Sequence, residues 1–250
     1  MERAERRAQS SELWLQRAER VRDAFGLVLA LVLLTYLLAS LLDNNGWSAV
    51  VLTVSTSATS VVALVSSHVR ARAVRVSIWL SVLTVGLAVI AAVSDERWFL
   101  NFASLVQICL LTVAMGAVLW RVVSSAEVGS RTILGAISVY ATLGLLFTWA
   151  YGLIDRIEGG GFFEGVEAGA GDFIFFSYTT LTTTGYGNLV PASQVGRMVA
   201  GIEMMLGQIF LVTLVAGLVS FWRPGEGLMR LRQRKQRDVP GETGPAEPAS

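Results

Sequence analysis

Six runs of 19 to 25 residues pass through this chain with a single charged residue, Glu203, among them. They are Ala24–Leu42, Trp47–Ser67, Val76–Ser94, Trp98–Trp120, Thr132–Ile154 and Met198–Trp222. A helix rises about 1.5 Å per residue, so about 20 apolar residues cross the roughly 30 Å hydrocarbon core of a bilayer. In lipid only helices or closed barrels satisfy every backbone polar group, and the alternating pattern of barrel strands is absent here. The runs therefore predict an all-α membrane protein with six transmembrane helices. Composition agrees: 16% of the 250 residues are charged, against about 25% in soluble domains.

Charge is confined to the flanks, and arginine sets orientation. Six arginines precede the first run, three lie between the second and third (Arg70, Arg72, Arg75) and two between the fourth and fifth (Arg121, Arg131). Six more Arg/Lys follow the last, giving seventeen on one side against Arg97, Arg156 and Arg197 on the other. Both termini are expected in the cytoplasm. Residues 1–23 read as a retained amphipathic lead-in, with Trp14, Ala18, Val21 and Phe25 on one helical face. The tail, 223–250, is basic and then rich in Pro, Gly and Glu, which reads as disordered. Its cluster suits contact with anionic lipid. Cys109 is the only cysteine, so no intrachain disulfide forms.

Between the fifth and sixth runs stands "DFIFFSYTTLTTTGYGNLVP", Asp172 to Pro191. Its first part suits a half-membrane helix, with Asp172 expected as N-cap. "TTGYG" cannot continue that helix, because Gly185 and Gly187 favour positive φ. Irregular backbone at membrane depth is tolerated only where it lines a water-filled path or is buried in protein. The expected arrangement is a re-entrant pore helix and a loop whose carbonyls face a partly dehydrated cation.

The motif "TTTGYGN" resembles the filter signature of tetrameric potassium channels, and the likeness extends from about Thr132 to Trp222. The resemblance implies an outer helix at 132–154, a pore helix and selectivity-filter loop at 172–190 and an inner helix at 198–222. It implies a filter of Thr183, Thr184, Gly185, Tyr186 and Gly187, with K+ coordinated at Thr183, Thr184, Gly185 and Tyr186. Thr182, Asn188 and Glu203 would support the filter. Gly207, eleven residues after Gly196, falls where a gating hinge stands in many inner helices. Two departures bear on selectivity: Thr184 replaces the commonest valine, and Asn188 replaces the usual aspartate. One strand of carbonyls cannot enclose an ion, so a homotetramer is expected.

Glu203 is the only ionisable residue well inside the last run. An acid there is expected to bond the pore helix at Thr179 or Tyr178, or else to face the ion path. The stretch Asp155–Gly171, with Asp172 beside it, reads as an acidic outer loop of net charge −4 per subunit that focuses cations. The domain 24–121 lacks gating arginines inside its fourth run, so familiar voltage gating is not expected; these four helices read as a scaffold.

The reading is a passive potassium channel in a bacterial plasma membrane, with membrane lipid and K+ as partners. A non-selective cation channel is the alternative within transport. A potassium uptake transporter would resemble four fused pore repeats, and a non-conducting regulatory subunit remains a further class. No paired acids, metal spacing or nucleophile motif points to an enzyme; no cofactor and no nucleic-acid partner is expected.

Overall fold

The computed structural model describes residues 25–42, 46–94, 96–124 and 130–221. The amphipathic lead-in and the basic tail expected from the sequence lie outside the described residues. Among the described residues seven helices follow one another: α1 Phe25–Leu41, α2 Gly46–Ser66, α3 Ala71–Ser94, α4 Arg97–Val123, α5 Ser130–Ile157, α6 Ala170–Leu181 and α7 Gln194–Phe221. Among the described residues β pairing is limited to isolated bridges, Phe163–Val166 and Phe163–Pro191. The chain divides into two compact units, Met1–Val212 and Thr213–Ser250. The side chains that form the candidate site all belong to the first.

Among the described residues five helices, α2, α3, α4, α5 and α7, are long and apolar enough to cross a bilayer. At 17 residues, α1 stands at the lower limit for a span. Several helices outrun their apolar cores: α3 begins five residues before Val76, at Ala71, and takes in Arg72 and Arg75. The i→i−4 hydrogen bonds do not stop where hydrocarbon stops, so charged turns extend a helix past its apolar length.

Polar and apolar residues are distributed inside out. Thr59 and Ser60 are fully buried, whereas Trp79 and Val93 are each 74% exposed. Helix α2 buries Thr53, Ser55, Thr56, Ser57, Thr59 and Ser60, the hydroxyl-rich stretch visible in the sequence. Thr53, Thr56, Thr59 and Ser60 each donate to a carbonyl four residues back in their own helix. A hydroxyl satisfied in this way behaves as a small residue and lets helices approach closely. Helix α2 accordingly packs on α1, α3 and α4. Small hydroxyl-bearing side chains turned inward on α2 and large apolar ones left on the outer surface suit lipid as solvent, and the protein is membrane-embedded.

The first four helices lean on α5, through α4 and α1, and α5 carries α6. Around α6 lies an aromatic cluster: Phe147, Tyr151, Phe162, Phe163, Phe173 and Phe176 are all buried together. Tyr151 meets Phe176 edge-on with ring centroids 5.1 Å apart. This cluster fixes the short helix, and with it the start of the Thr-Gly-Tyr-Gly stretch.

Candidate functional site

Helix α6 is only 12 residues long and ends at Leu181, directly before the Thr-Gly-Tyr-Gly stretch. Its start differs from the expectation: Gly169 is the N-cap, and Asp172 lies inside the first turn. The Asp172 carboxylate instead accepts from the Gly169 N–H at 2.8 Å. Gly169 has no side chain to compete for the capping position, so the acid serves from the third helical position, as in half of a capping box.

Helix α5 holds α6 through a close approach at Gly144. The Tyr178 ring lies 2.8 Å from where a Cβ on Gly144 would stand, so only glycine fits. The Tyr178 hydroxyl donates to Ala141 O at 2.7 Å, and Tyr140 donates to Leu181 O at 3.0 Å. These bonds tie the last turn of α6 to α5. The C-terminal end of a helix carries partial negative charge, so α6 presents a cation-favouring pole to the residues beyond it.

Beyond Leu181 the backbone alternates in hand. Thr183, Gly185 and Gly187 have φ of +56°, +49° and +77°, and Thr184 and Tyr186 between them do not share the positive sign. Alternation of this kind turns successive carbonyls to one side, where an ordinary strand would alternate them. Thr183 is one of two non-glycine residues with positive φ among those described. An L-residue there costs roughly 1–2 kcal/mol, and its surroundings hold it: Thr183 N–H donates to Thr180 O, and Thr184 and Gly185 N–H both donate to Thr179 O. The Thr182 and Thr184 hydroxyls bond each other at 2.8 Å. No hydrogen bond from the described residues goes to the carbonyls of Thr183, Thr184, Gly185 or Tyr186. All seven residues from Thr182 to Asn188 are exposed in the single chain. The Tyr186 ring leaves this backbone to stack on Phe175 of α6, centroids 5.8 Å apart.

Residues 134–223 match a protein-family model described as "Ion channel". The match runs from early α5, through α6 and the irregular stretch, to just past α7. This part of the chain is thus similar to an ion-channel domain. A comparison with curated proteins found no match.

The structure places Glu203 differently from the sequence expectation. Its carboxyl bonds neither Thr179 nor Tyr178. Ser177 Oγ lies 2.5 Å from Glu203 Oε1, and the Tyr151 hydroxyl donates to Oε2 at 2.5 Å. Ser177 lies about one helical turn before Leu181, where α6 ends, and the face of α6 that meets α7 is the Ser177 face. Ser177 Oγ also lies 2.7 Å from Gly144 O. A serine has one proton to donate. Both contacts close when Ser177 gives its proton to Gly144 O and the Glu203 carboxyl, itself protonated, donates to Ser177. A neutral acid also avoids the cost of a fully buried unpaired charge.

Gly207 lies against the end of α6: a Cβ there would stand 2.5 Å from Leu181 O. Close approach explains the glycine, and α7 runs as one helix through it. The next residue, Gln208, was not singled out by the sequence; its amide donates to Thr183 Oγ1 at 3.0 Å. A polar residue after a glycine, in an otherwise apolar helix, was the available signal.

The expected acidic loop is also corrected. Helix α5 continues to Ile157, so Asp155 and Arg156 are helical. Arg156 donates to Asn101 at 3.0 Å and to Ser104 at 2.5 Å, both on α4. Asp155 accepts from the Phe162 N–H, and Glu164 pairs with Arg197 at 2.6 Å. Of the five acids, three are thus engaged inside the chain: Asp155, Glu164 and Asp172.

Proposed function

We propose that this protein is a potassium-selective channel that conducts passively as a homotetramer. The observation that carries the reading is the alternating backbone from Thr183 to Gly187, with four successive carbonyls left unbonded by the described residues at the C-terminal pole of α6. Carbonyl oxygens in such a row replace the hydration shell of a cation, and the Thr183 hydroxyl adds an innermost ligand. Thr183, Thr184, Gly185 and Tyr186 would coordinate K+, Gly187 would close the row, and Tyr186 stacked on Phe175 would hold its width. Asn188 and Thr182 stand at its two ends as support, with Glu203 bracing α6 from behind.

The tetramer follows from two features. One row of carbonyls covers only part of an ion's shell. The most exposed large apolar side chains of α7 are Met198, Met205, Ile209 and Val212, each at least 60% exposed. Spacings of seven, four and three put these on one face, as at a helix–helix interface. In this reading both termini are cytoplasmic, the membrane is the bacterial plasma membrane, and Gly207 serves close helix contact besides any hinge role.

Voltage is not the stimulus in this reading. Helix α4 carries no charge between Trp98 and Trp120, and its buried polar positions are filled by the neutral Ser104 and Gln107. A gating charge is worth about 2.3 kcal/mol per 100 mV, and a neutral amide contributes none of it.

The test is cation flux into liposomes containing the purified protein, with Gly185→Ala as control. Flux of K+ that Na+ does not support, lost in the variant, is expected. Equal Na+ flux would overturn selectivity and favour a non-selective channel, with Thr184 and Asn188 as its cause. No flux of either ion would count against conduction.

A further inference from the structure

We infer that Gln208 is a positioning residue for the ion path: its amide sets the hydroxyl of Thr183, the innermost oxygen of the row, and so ties the last helix to cation binding. The inference rests on the proposed channel function.

Helix α7 meets the base of the row at two consecutive residues. Gly207 brings the helix backbone against Leu181 O, so the two main chains touch with no side chain between them. That contact places Gln208 one step further along, where Nε2 reaches Thr183 Oγ1 at 3.0 Å. The same joint is closed on its other side by Tyr140, which donates to Leu181 O and stacks on Phe210 of α7 with centroids 5.7 Å apart. Leu181 O is thus held by α5 and abutted by α7, and Thr183 is held by α7 alone through its side chain.

The chemistry of the hydroxyl makes this bond consequential. A threonine oxygen has two lone pairs and one proton. An amide N–H on one lone pair leaves the second for a cation and turns the proton away from it. Thr183 is β-branched and sits at φ +56°, so few side-chain rotamers are open to it. One donor therefore selects the orientation. Without it, the hydroxyl is free to rotate toward a neighbour such as the Thr182–Thr184 pair. Because Gln208 rides on α7, displacement of that helix reaches the ion ligand across one hydrogen bond.

The experiment is a double-mutant cycle on full-length protein in liposomes, with Gln208→Met and Thr183→Val. Methionine keeps the length and removes the donor; valine keeps the branched shape and removes the acceptor. The readouts are the half-saturating K+ concentration and the K+/Na+ flux ratio, with K+-dependent melting of the purified protein as a measure independent of conduction. Gln208→Met is expected to raise half-saturation about three- to ten-fold, the worth of one net hydrogen bond, and to narrow the ratio. Thr183→Val is expected to do the same, and the double variant to match Thr183→Val alone. Gln208→Asn keeps a donor but is one methylene too short, so it should behave as Gln208→Met; it replaces that variant if assembly fails.

Independent, additive effects in the double variant would overturn the inference, as would a conducting Gln208→Met protein with unchanged half-saturation and ratio. A wild-type protein that neither conducts K+ nor is stabilised by it over Na+ would overturn the channel reading, and the inference with it.

Discussion

Glu203 Oε1 and Ser177 Oγ stand 2.5 Å apart, joining the middle of the last long helix to the short helix that carries the Thr-Gly-Tyr-Gly stretch. The acid thereby becomes part of the support behind that stretch.

Glu203→Gln is expected to be tolerated. The amide N–H replaces the carboxyl proton toward Ser177, and the amide oxygen still accepts from Tyr151. Stability should change by no more than about 1 kcal/mol. Glu203→Leu leaves the buried Tyr151 hydroxyl without its acceptor, at about 1–3 kcal/mol, so the melting temperature should fall by roughly 3–10 °C. Thermal unfolding of the two variants in detergent checks this; a large loss for glutamine would mean that the acid is ionised.

Gly207 and Gly201 should respond in opposite directions. Alanine at 207 drives a methyl into Leu181 O, and overpacking of this kind costs typically about 1–3 kcal/mol. At 201, in the single chain, no atom of the described residues outside the helix's own adjoining backbone lies within 4 Å of the new methyl, and alanine is favoured over glycine in a helix by about 0.8–1 kcal/mol. Melting temperatures of Gly207→Ala and Gly201→Ala, measured side by side, test the close-contact role of Gly207.

Arg156→Lys should not be conservative. The guanidinium reaches Asn101 and Ser104 through two different nitrogens, a fork that one ammonium does not reproduce. Loss of one charge-assisted bond, about 1.5–3 kcal/mol, should lower the melting temperature by roughly 3–10 °C. The same loss in Arg156→Lys and in Asn101→Ala would support the bond between them; an unchanged lysine variant would count against it.

Gln107 offers the reverse case. It is fully buried, and its Oε1 accepts from Ser57 at 3.2 Å, but Nε2 has no partner among the described residues. Gln107→Met removes the orphaned donor at similar volume and should leave stability unchanged or raise it. Gln107→Arg would bury a charge where the nearby partners are the hydroxyls of Ser57 and Thr84, and should abolish folded protein. Size-exclusion profiles of the two variants separate these outcomes.

The all-helical apolar character, the break at Gly185 and Gly187, and the short helix before it were legible in the chain, because each rests on neighbouring residues alone; of the six expected spans, five helices among the described residues have the length and hydropathy of one. Hydrophobic length is a sum over consecutive positions, and the cost of positive φ belongs to single residues. Even here the sequence misplaced details. It put Asp172 at the N-cap and ended the fifth helix before Arg156, since main-chain hydrogen bonding extends beyond the apolar stretch that announces a helix.

The partners were not legible. Glu203 was expected to bond Thr179 or Tyr178, yet it meets Ser177, 26 residues away, and Tyr151, 52 away. Neighbours on α6 differ by about 100° in direction per residue, so the rotation of α6 against α7 selects among them. That rotation is set at Gly144 and Gly207, where a missing Cβ lets backbones touch. Arg156 and Gln208 found their partners by the same means. Local chemistry names the pieces that can line an ion path, whereas the contact of helix surfaces far apart in the chain decides which polar group faces which.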